Sequence, residues 1–399
     1  MTEIVNNAIQ NTPPQCYTSH RKKTIPWKIS RRITALRFLL IVLVVFIHNN
    51  FNSDSIAEII AAGGKDVLFN QSVVGKWVQL FVSDGLSRTA VPLFFVFASY
   101  LLFMKNDSYG SMLKKKFRSL FVPLLLWSAI NLLLFVAVKM FCIRFLPAFV
   151  DNSEKFIFSG WNIRDWICAF IGFTREKEIL IFSNYSVYAG NLAVQFWFIR
   201  DLLIMMLISP VIRWAVRRFP KEFLIFTSFF YVCDVRPVIV MHQAFVFFVL
   251  GCYFAEYEID FFSLADKISW RFILPVFAIS FWYFTVFTEF PSQSRWFPIL
   301  CSCVIFLKLS KNIAENEKIF NVMNFLAGYS FFLFASHNNF VTPTMQTLWT
   351  GLLPMRNGFF CLAEYFGVTT LVVFFCTGSG IILKKVCPPG FRLLNGGRG

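Results

Sequence analysis

The sequence predicts an all-α protein, a polytopic transmembrane helical bundle with about ten spans and both termini in the cytoplasm. Three observations lead to this prediction: of 399 residues, 57% are hydrophobic, only 15% are charged, and 53 are Phe. A soluble domain has roughly half apolar and roughly a quarter charged residues. Lipid accepts aromatic surface that an aqueous fold of this size could not bury. The composition therefore excludes a soluble globular domain, a disordered chain and a disulfide-rich secreted module.

Apolar runs of sufficient length recur along most of the chain. A helical span needs about 20 mainly apolar residues. The predicted spans are residues 33–50, 87–104, 119–142, 192–214, 222–234, 238–256, 270–289, 295–310, 325–347 and 360–383. Residues 51–86 and 143–191 are then predicted to be long outward-facing loops.

Basic residues set the predicted orientation. Residues 1–32, the loops after the even-numbered spans and residues 386–399 together carry more Lys and Arg than the opposite side. Because cytoplasmic loops collect basic residues, both terminal segments are predicted to be cytoplasmic tails that flank a transmembrane domain at 33–385. The same rule accounts for the formal charge of +16 without nucleic acid binding. No small-residue cleavage site follows the first apolar run, so the first span is expected to be a retained signal anchor.

Two ionisable residues lie within the first predicted span. Arg37 is near its start and His48 near its end, 11 residues apart. This spacing makes about three helical turns, so both side chains lie on nearly one face, roughly 16 Å apart along the axis. Ionisable groups inside a span are functional candidates because they are costly there. The alternative, which spacing alone favours, is that Arg37 extends to the interface and His48 bonds a neighbouring helix.

A basic cluster precedes the third predicted span. Lys114, Lys115, Lys116 and Arg118 are nearly consecutive, and on an α-helix Lys115 and Arg118 share a face. One interpretation is solvated cytoplasmic charge. The other is a cationic entrance that attracts a phosphorylated cytosolic ligand.

Two further segments place polar residues in apolar surroundings. His337 lies in a late span, and the string His-Asn-Asn-Phe occurs both at 48–51 and at 337–340. Both copies suit a polar pocket. Arg200 and Asp201 are adjacent, so they are not expected to pair within one helix and should contact partners on other helices. Trp197 belongs to an aromatic band that suits an interfacial belt and a glycan-stacking surface equally well.

The cysteines give no sign of a metal site. There are 10 Cys residues, and most stand alone inside apolar runs. Cys301 and Cys303 are the two nearest neighbours, without the spacing of a zinc site. Reduced thiols packed in the bundle are therefore expected, with a zinc site as the alternative.

Six segments taken in order resemble one family. They are the pair Arg37 and His48, FFVFASYLLF at 94–103, KKKFRSLFVPLLLW at 114–127, FWFIRDLLIMMLISPVI at 196–212, FFVLGCYFA at 247–255 and GYSFFLFASHNNF at 328–340. This ordered set resembles the acyltransferase 3 family of integral membrane acyltransferases, which modify glycans and related envelope molecules. The chain departs from the family pattern at Ala98-Ser99, where Ser-Gly is usual, at Lys115, where an Arg often stands, and at Phe331, where Tyr is usual.

The resemblance implies an activity and its participants. An acyl group, most often acetyl, would move from a coenzyme A thioester to a hydroxyl of a glycan or lipid-linked saccharide. Acetyl-CoA or another acyl-CoA would be a co-substrate, with no permanently bound cofactor and no metal. The protein would be a multi-pass protein of a bacterial inner membrane. Direct transfer and a covalent acyl-histidine are both compatible with this implication.

The resemblance also suggests roles for the polar residues. His48 would be the general base, with Arg37 beside the path of the donor. Arg37, Lys115 and Arg118 would bind the phosphorylated end of acyl-CoA. The candidates for stabilising the oxyanion or lining the pocket are Asn49, Ser99, Tyr100, Trp197, Arg200 and His337.

Two other classes of protein remain open on the sequence. A transporter or flippase for a lipid-linked glycan would also use intramembrane Arg and His residues, although no inverted repeat is apparent. A non-catalytic subunit of a polysaccharide export system would need His48 only for assembly. The Arg37 and His48 pair, followed by the basic segment, favours the enzyme.

Overall fold

The computed structural model describes residues 25–49, 73–105, 107–145, 162–172, 178–182, 185–188, 192–235, 240–288, 295–353 and 358–398. Most of the predicted N-terminal tail lies outside the described residues. The described part is helical apart from one antiparallel hairpin, in which β1 (Glu178–Phe182) pairs with β2 (Tyr185–Tyr188). The helical fold class is therefore confirmed, with the hairpin as a departure from a purely helical chain.

The first half of the chain contains seven helices. They are α1 (Trp27–His48), α2 (Val73–Leu80), α3 (Ala90–Lys105), α4 (Tyr109–Lys116), α5 (Val122–Phe145), α6 (Ile163–Ile171) and α7 (Trp197–Leu207) within the described ranges. Wider π-helical turns at Phe81–Leu86 and Phe117–Phe121, and short 3-10 turns at Ser87–Thr89 and Val194–Phe196, connect several of them.

The second half contains eleven helices within the described ranges. They are α8 (Ser209–Arg218), α9 (Pro220–Val232), α10 (His242–Glu256), α11 (Phe261–Asp266), α12 (Trp270–Val286), α13 (Trp296–Glu315), α14 (Glu317–Ala327), α15 (Ser330–Ser336), α16 (Thr342–Leu352), α17 (Gly358–Val386) and α18 (Pro388–Leu394). A π-helical turn at His337–Val341 joins α15 to α16.

Several helices are long and apolar enough to cross a membrane. Among the described residues four qualify by length and composition: Val74–Lys105, Tyr109–Phe141, Trp296–Glu315 and Phe360–Val386. The total is up to six if each of two bent pairs is one span. One pair, α7 and α8, bends by 62°, and the other, from α14 to α16, bends by 49°. Each of the ten predicted spans overlaps a helix, but the number of spans and the side of the termini stay predictions.

Both predicted long loops contain regular structure, so these two predictions are wrong in part. Residues 73–86, assigned to the first loop, are helical and continue into α3. Lys76 and Gln79 interrupt the apolar run there, yet they are only 8% and 2% exposed, because they face other parts of the protein rather than water. The second loop contains α6 and the hairpin; α6 begins with a capping box formed by Asn162 and Asp165.

Helix α1 lies at the centre of the bundle and is fixed at its N-terminal end. It contacts α3, α13, α14, α15 and α17. Arg32 binds Asp266 at the end of α11 at 2.6 Å, and its guanidinium lies 4.4 Å from the ring centroid of Phe262. Arg31 binds Glu317 of α14 at 2.6 Å. These contacts fix the orientation of α1 about its own axis. That orientation determines which side chains Arg37 and His48 face.

Helices α3 and α10 approach each other closely. A Cβ atom at Gly251 would lie 2.5 Å from the carbonyl oxygen of Val96, so only glycine fits there without a shift. The hydroxyl of Ser99 donates a hydrogen bond to the carbonyl of Phe248 at 2.6 Å. This contact fixes α3, which forms one wall of the cavity described next.

Candidate active site

A cavity of about 1150 Å³ runs along α1, between this helix and α3, α4, α7 and α15. Arg37 and His48 both line it. The predicted common face of these two residues is therefore the cavity face of α1. Residues beside Arg37 are called the cationic end of the cavity below, and residues beside His48 its histidine end.

Two histidines meet at the histidine end. The ring centroids of His48 and His337 are 5.2 Å apart. His337 is fully buried, and its Nδ1 lies 2.9 Å from the carbonyl oxygen of Phe334. A carbonyl only accepts hydrogen bonds, so Nδ1 carries the proton and Nε2 is the acceptor. Nε2 has no hydrogen-bond partner in the described part of the chain.

Arg88 and Gln195 join the histidine end, although the sequence did not single them out. Both line the cavity. The guanidinium of Arg88 binds Asp84 at 3.0 Å and is close enough to His48 to act on it electrostatically. Gln195 donates from Nε2 to the carbonyl of Ala335 at 2.8 Å, while its buried Oε1 has no partner among the described residues. Both residues lie near the boundary of a predicted span, where polar residues are common and therefore do not mark a functional site.

Trp197 and Arg200 line the cavity from α7. The expectation that Arg200 and Asp201 do not pair is wrong, because Nε of Arg200 donates to the Asp201 carboxylate at 2.8 Å. The long Arg side chain bends back along the helix to reach its neighbour. The expected partners on other elements are present too: Arg200 also donates to the carbonyl of Gly172, and Asp201 accepts from the backbone N–H of Met241 at 2.8 Å.

The cationic end contains only part of the predicted basic pair. Lys115 lines the cavity and binds Asp107 at 2.9 Å, whereas Arg118 is exposed and is not among the lining residues. The α-helix ends at Lys116 and a π-helical turn follows. The wider turn changes the angle between successive side chains, so residues three apart no longer share a face. Lys116 lines the cavity in place of Arg118.

Four of the six predicted oxyanion or pocket candidates do not line the cavity: Asn49, Ser99, Tyr100 and His337, of which His337 is buried beside His48. Asn49 is buried and donates to the carbonyl of Tyr365 at 2.8 Å. The Ser99 hydroxyl donates to Phe248, as described above. Tyr100 is 2% exposed and packs within the core. Asn49, Ser99 and Tyr100 hold helices together; Asn49 follows His48 in the chain, but its side chain bonds α17 and does not line the cavity.

Aromatic rings form part of the cavity wall. Phe94, Phe198 and Phe334 all line it. The ring of Phe198 lies 6.0 Å from Phe94 and 6.1 Å from Phe334 between centroids. The cavity thus joins a cationic end to a histidine end through an apolar passage. This arrangement suits an elongated ligand with an anionic group at one end and a reactive group at the other.

No group of three or more His, Cys, Asp or Glu side chains among the described residues could hold a metal ion. Cys301 and Cys303 are both buried free thiols.

Comparisons with known proteins agree with these features. A family model described as an acyltransferase domain matches residues 31–383. The succinoglycan biosynthesis protein ExoH of Rhizobium meliloti (strain 1021) is 25% identical over 198 residues, which cover 48% of this chain and 45% of that protein. The match therefore spans less than half the length of this relative. No solved structure matches the chain.

Proposed function

Because this chain belongs to the acyltransferase 3 family, we propose that it moves an acyl group from acyl-CoA to a hydroxyl of a cell-envelope glycan or lipid-linked saccharide. Acetyl is the expected group, and a bacterial inner membrane is the expected location. The observation that carries this proposal is that Arg37 and His48 line one cavity, with cations near the first and a second histidine near the other.

The donor would occupy the length of this cavity. Its phosphate groups would bind at the cationic end, where Arg37, Lys115 and Lys116 line the wall. The pantetheine arm would pass the phenylalanine rings of the cavity wall. The thioester carbonyl would then lie at the histidine end, near His48. A cytosolic donor fits the predicted orientation, in which the start of α1 faces the cytoplasm.

The proposed reaction is a direct acyl transfer. His48 accepts the proton of the acceptor hydroxyl as that oxygen forms a bond to the thioester carbonyl carbon. The carbon–sulfur bond then breaks, the acyl group remains on the acceptor oxygen as an ester, and the coenzyme A thiolate takes the proton from His48. A covalent acyl-histidine is the alternative route, in which His48 forms the first bond to the acyl carbon.

Two neighbours would assist His48. Arg88 is the better candidate for stabilising the oxyanion, because it lines the cavity near His48, whereas Asn49 and Ser99 do not line it and donate to carbonyls of neighbouring helices. His337 would be a positioning residue: with its proton on Nδ1, its free Nε2 is an acceptor that can orient the imidazole of His48.

The acceptor would approach the histidine end past Gln195 and Trp197. The unpartnered Oε1 of Gln195 can accept a hydrogen bond from a sugar hydroxyl, and an indole ring suits stacking against a sugar. The name of the relative, a succinoglycan biosynthesis protein, supports a glycan as acceptor.

Mass spectrometry of envelope glycans and lipid-linked intermediates tests this function in cells. Cells that produce the protein should carry an acyl mass increment that is absent from cells without it, and the increment identifies the acyl group. A changed abundance or location of the glycan without any increment would contradict the transferase and favour the transporter.

A further inference from the structure

The segment after α17 is folded into the bundle, although the sequence suggests only a Gly-rich cytoplasmic tail at 386–399. Helix α18 buries Phe391, which is 1% exposed. The ring of Phe391 lies 5.5 Å from Tyr329 and 5.8 Å from Phe332 between centroids. These contacts hold the segment against the bend between α14 and α15.

Residues beyond α18 continue this contact. Asn395 is fully buried and donates from Nδ2 to the carbonyl of Gly328 at 2.9 Å. The indole N–H of Trp127 donates to the carbonyl of Leu394 at 3.1 Å. Both bonds satisfy backbone carbonyls at helix ends, where partners within the helix are missing. The backbone of the segment is therefore fixed on two sides.

Gly396 allows the chain to turn toward the cavity. Its φ angle is +69°, a left-handed conformation that favours glycine. A Cβ atom at this position would lie 2.4 Å from the carbonyl oxygen of Ser119, and Ser119 lines the cavity. Any side chain here would move the segment away.

The turn brings Arg398 to the cationic end of the cavity. Arg398 lines the cavity, and its guanidinium lies 4.9 Å from the ring centroid of Phe331. Arg398 is an exposed residue, although residues of the cavity surround part of its side chain. Desolvation by these residues, together with the positive charge of Arg37, lowers the pKa of Arg398 to about 10. The side chain stays cationic at neutral pH.

The cationic end thus holds more positive than negative charge, with Asp107 as the carboxylate that lines it and acts on Lys116. Lys115 is paired with Asp107. No carboxylate lies within ion-pair distance of Arg37, Lys116 or Arg398 in the part of the chain that the structure describes. Lys116 is also within electrostatic range of both arginines. Like charges in one cavity repel, and a bound polyanion relieves that repulsion.

We infer that Arg398 binds the phosphate groups of the acyl donor together with Arg37 and Lys116. This inference rests on the proposed function, because coenzyme A supplies the phosphates. The segment at 387–398 is then part of the donor site, and its docking against α15 and the start of α5 aligns Arg398.

Binding of coenzyme A to the purified full-length protein tests this inference by calorimetry. Arg398→Gln should weaken binding by about ten- to hundredfold, the range for one charge-assisted hydrogen bond. Arg398→Lys should restore part of the affinity because it returns the charge. Gly396→Ala should weaken binding as well, since it displaces Arg398.

Arg392→Gln is the matched control. It removes one positive charge from the same segment, but Arg392 is not among the lining residues of the cavity. We expect coenzyme A affinity equal to the wild type. In transfer assays, Arg398→Gln should raise the apparent KM for acyl-CoA and leave kcat unchanged, which a general loss of folding would not do.

The outcomes separate the inference from the proposed function. If the wild type binds coenzyme A and Arg398→Gln binds it equally well, the proposed role of Arg398 is wrong. The proposal that acyl-CoA is the donor is then unaffected. Equal losses in Arg398→Gln and Arg392→Gln would also overturn the role, because they would report net charge alone. If the wild type does not bind coenzyme A, the donor and the role of Arg398 are both wrong.

Discussion

The imidazole rings of His48 and His337 lie 5.2 Å apart between centroids, with His48 lining the end of the cavity opposite to Arg37 and His337 buried beside it. His48 ends α1, and His337 opens the π-helical turn after α15. Such turns often occur at functional sites because they change the direction of a side chain within a helix. Here the turn directs His337 to the core beside His48.

His337→Gln should lower kcat by about tenfold or more and leave the KM for acyl-CoA unchanged, because His337 orients His48 and is remote from the phosphate groups. Steady-state kinetics of the purified protein measures both constants. His242→Gln is the control, since His242 is a second fully buried histidine, and its ring stacks on Tyr231 whereas that of His337 lies beside His48. Equal losses in both variants would show that His337 is only a packing residue.

Arg37→Ala should raise the KM for acyl-CoA by about tenfold or more with a smaller effect on kcat, because it removes a cation from the phosphate-binding end. Arg271→Ala is the control: Arg271 is exposed and does not line the cavity. Unchanged donor dependence in Arg37→Ala would favour the alternative in which Arg37 only extends to the membrane interface.

Ser99→Ala should lower stability by about 1 kcal/mol, because the buried carbonyl of Phe248 loses its donor, and should leave kcat and KM unchanged. Thermal unfolding in detergent and steady-state kinetics measure the two effects. A large fall in kcat without loss of stability would contradict this and would indicate that Ser99 stabilises the oxyanion.

Gly251→Ala should destabilise the protein by about 1–3 kcal/mol, because the new methyl group would overlap the carbonyl of Val96 on α3. Gly378→Ala is the matched control, since nothing lies within 4 Å of a Cβ atom there. The difference in thermal unfolding between the two variants reports the close approach of α3 and α10. Equal stabilities would contradict that approach.

Periodic and compositional features were predictable from the sequence. The apolar runs predicted helices at all ten positions, and the spacing of Arg37 and His48 predicted their common face. Both features depend on local geometry. The proximity of His48 to His337 was not predicted, because contacts between distant segments depend on how helices pack; the repeated His-Asn-Asn-Phe string indicated only that each histidine suits a polar pocket.

Other features could not be predicted because they depend on irregular helices or on tertiary contacts. The π-helical turn after Lys116 separates Arg118 from Lys115, and no sequence rule marked its position. The contact between Arg200 and Asp201 depends on the rotamer of the Arg200 side chain, which helix geometry alone does not specify. The short polar stretches that contain Arg88 and Gln195 show no periodic pattern of residues, so no pattern placed these two side chains in the site. Arg398 follows two glycines, a pattern that usually marks a mobile end.

Transfer of a labelled acetyl group from acetyl-CoA by purified wild type and His48→Ala tests the central claim most directly. The reaction contains a lipid-linked saccharide extract as acceptor, and thermal unfolding shows that both proteins are folded. We predict label in the saccharide with the wild type, none above background with His48→Ala, and coenzyme A binding by both. Label transferred equally by a folded His48→Ala variant would contradict the account.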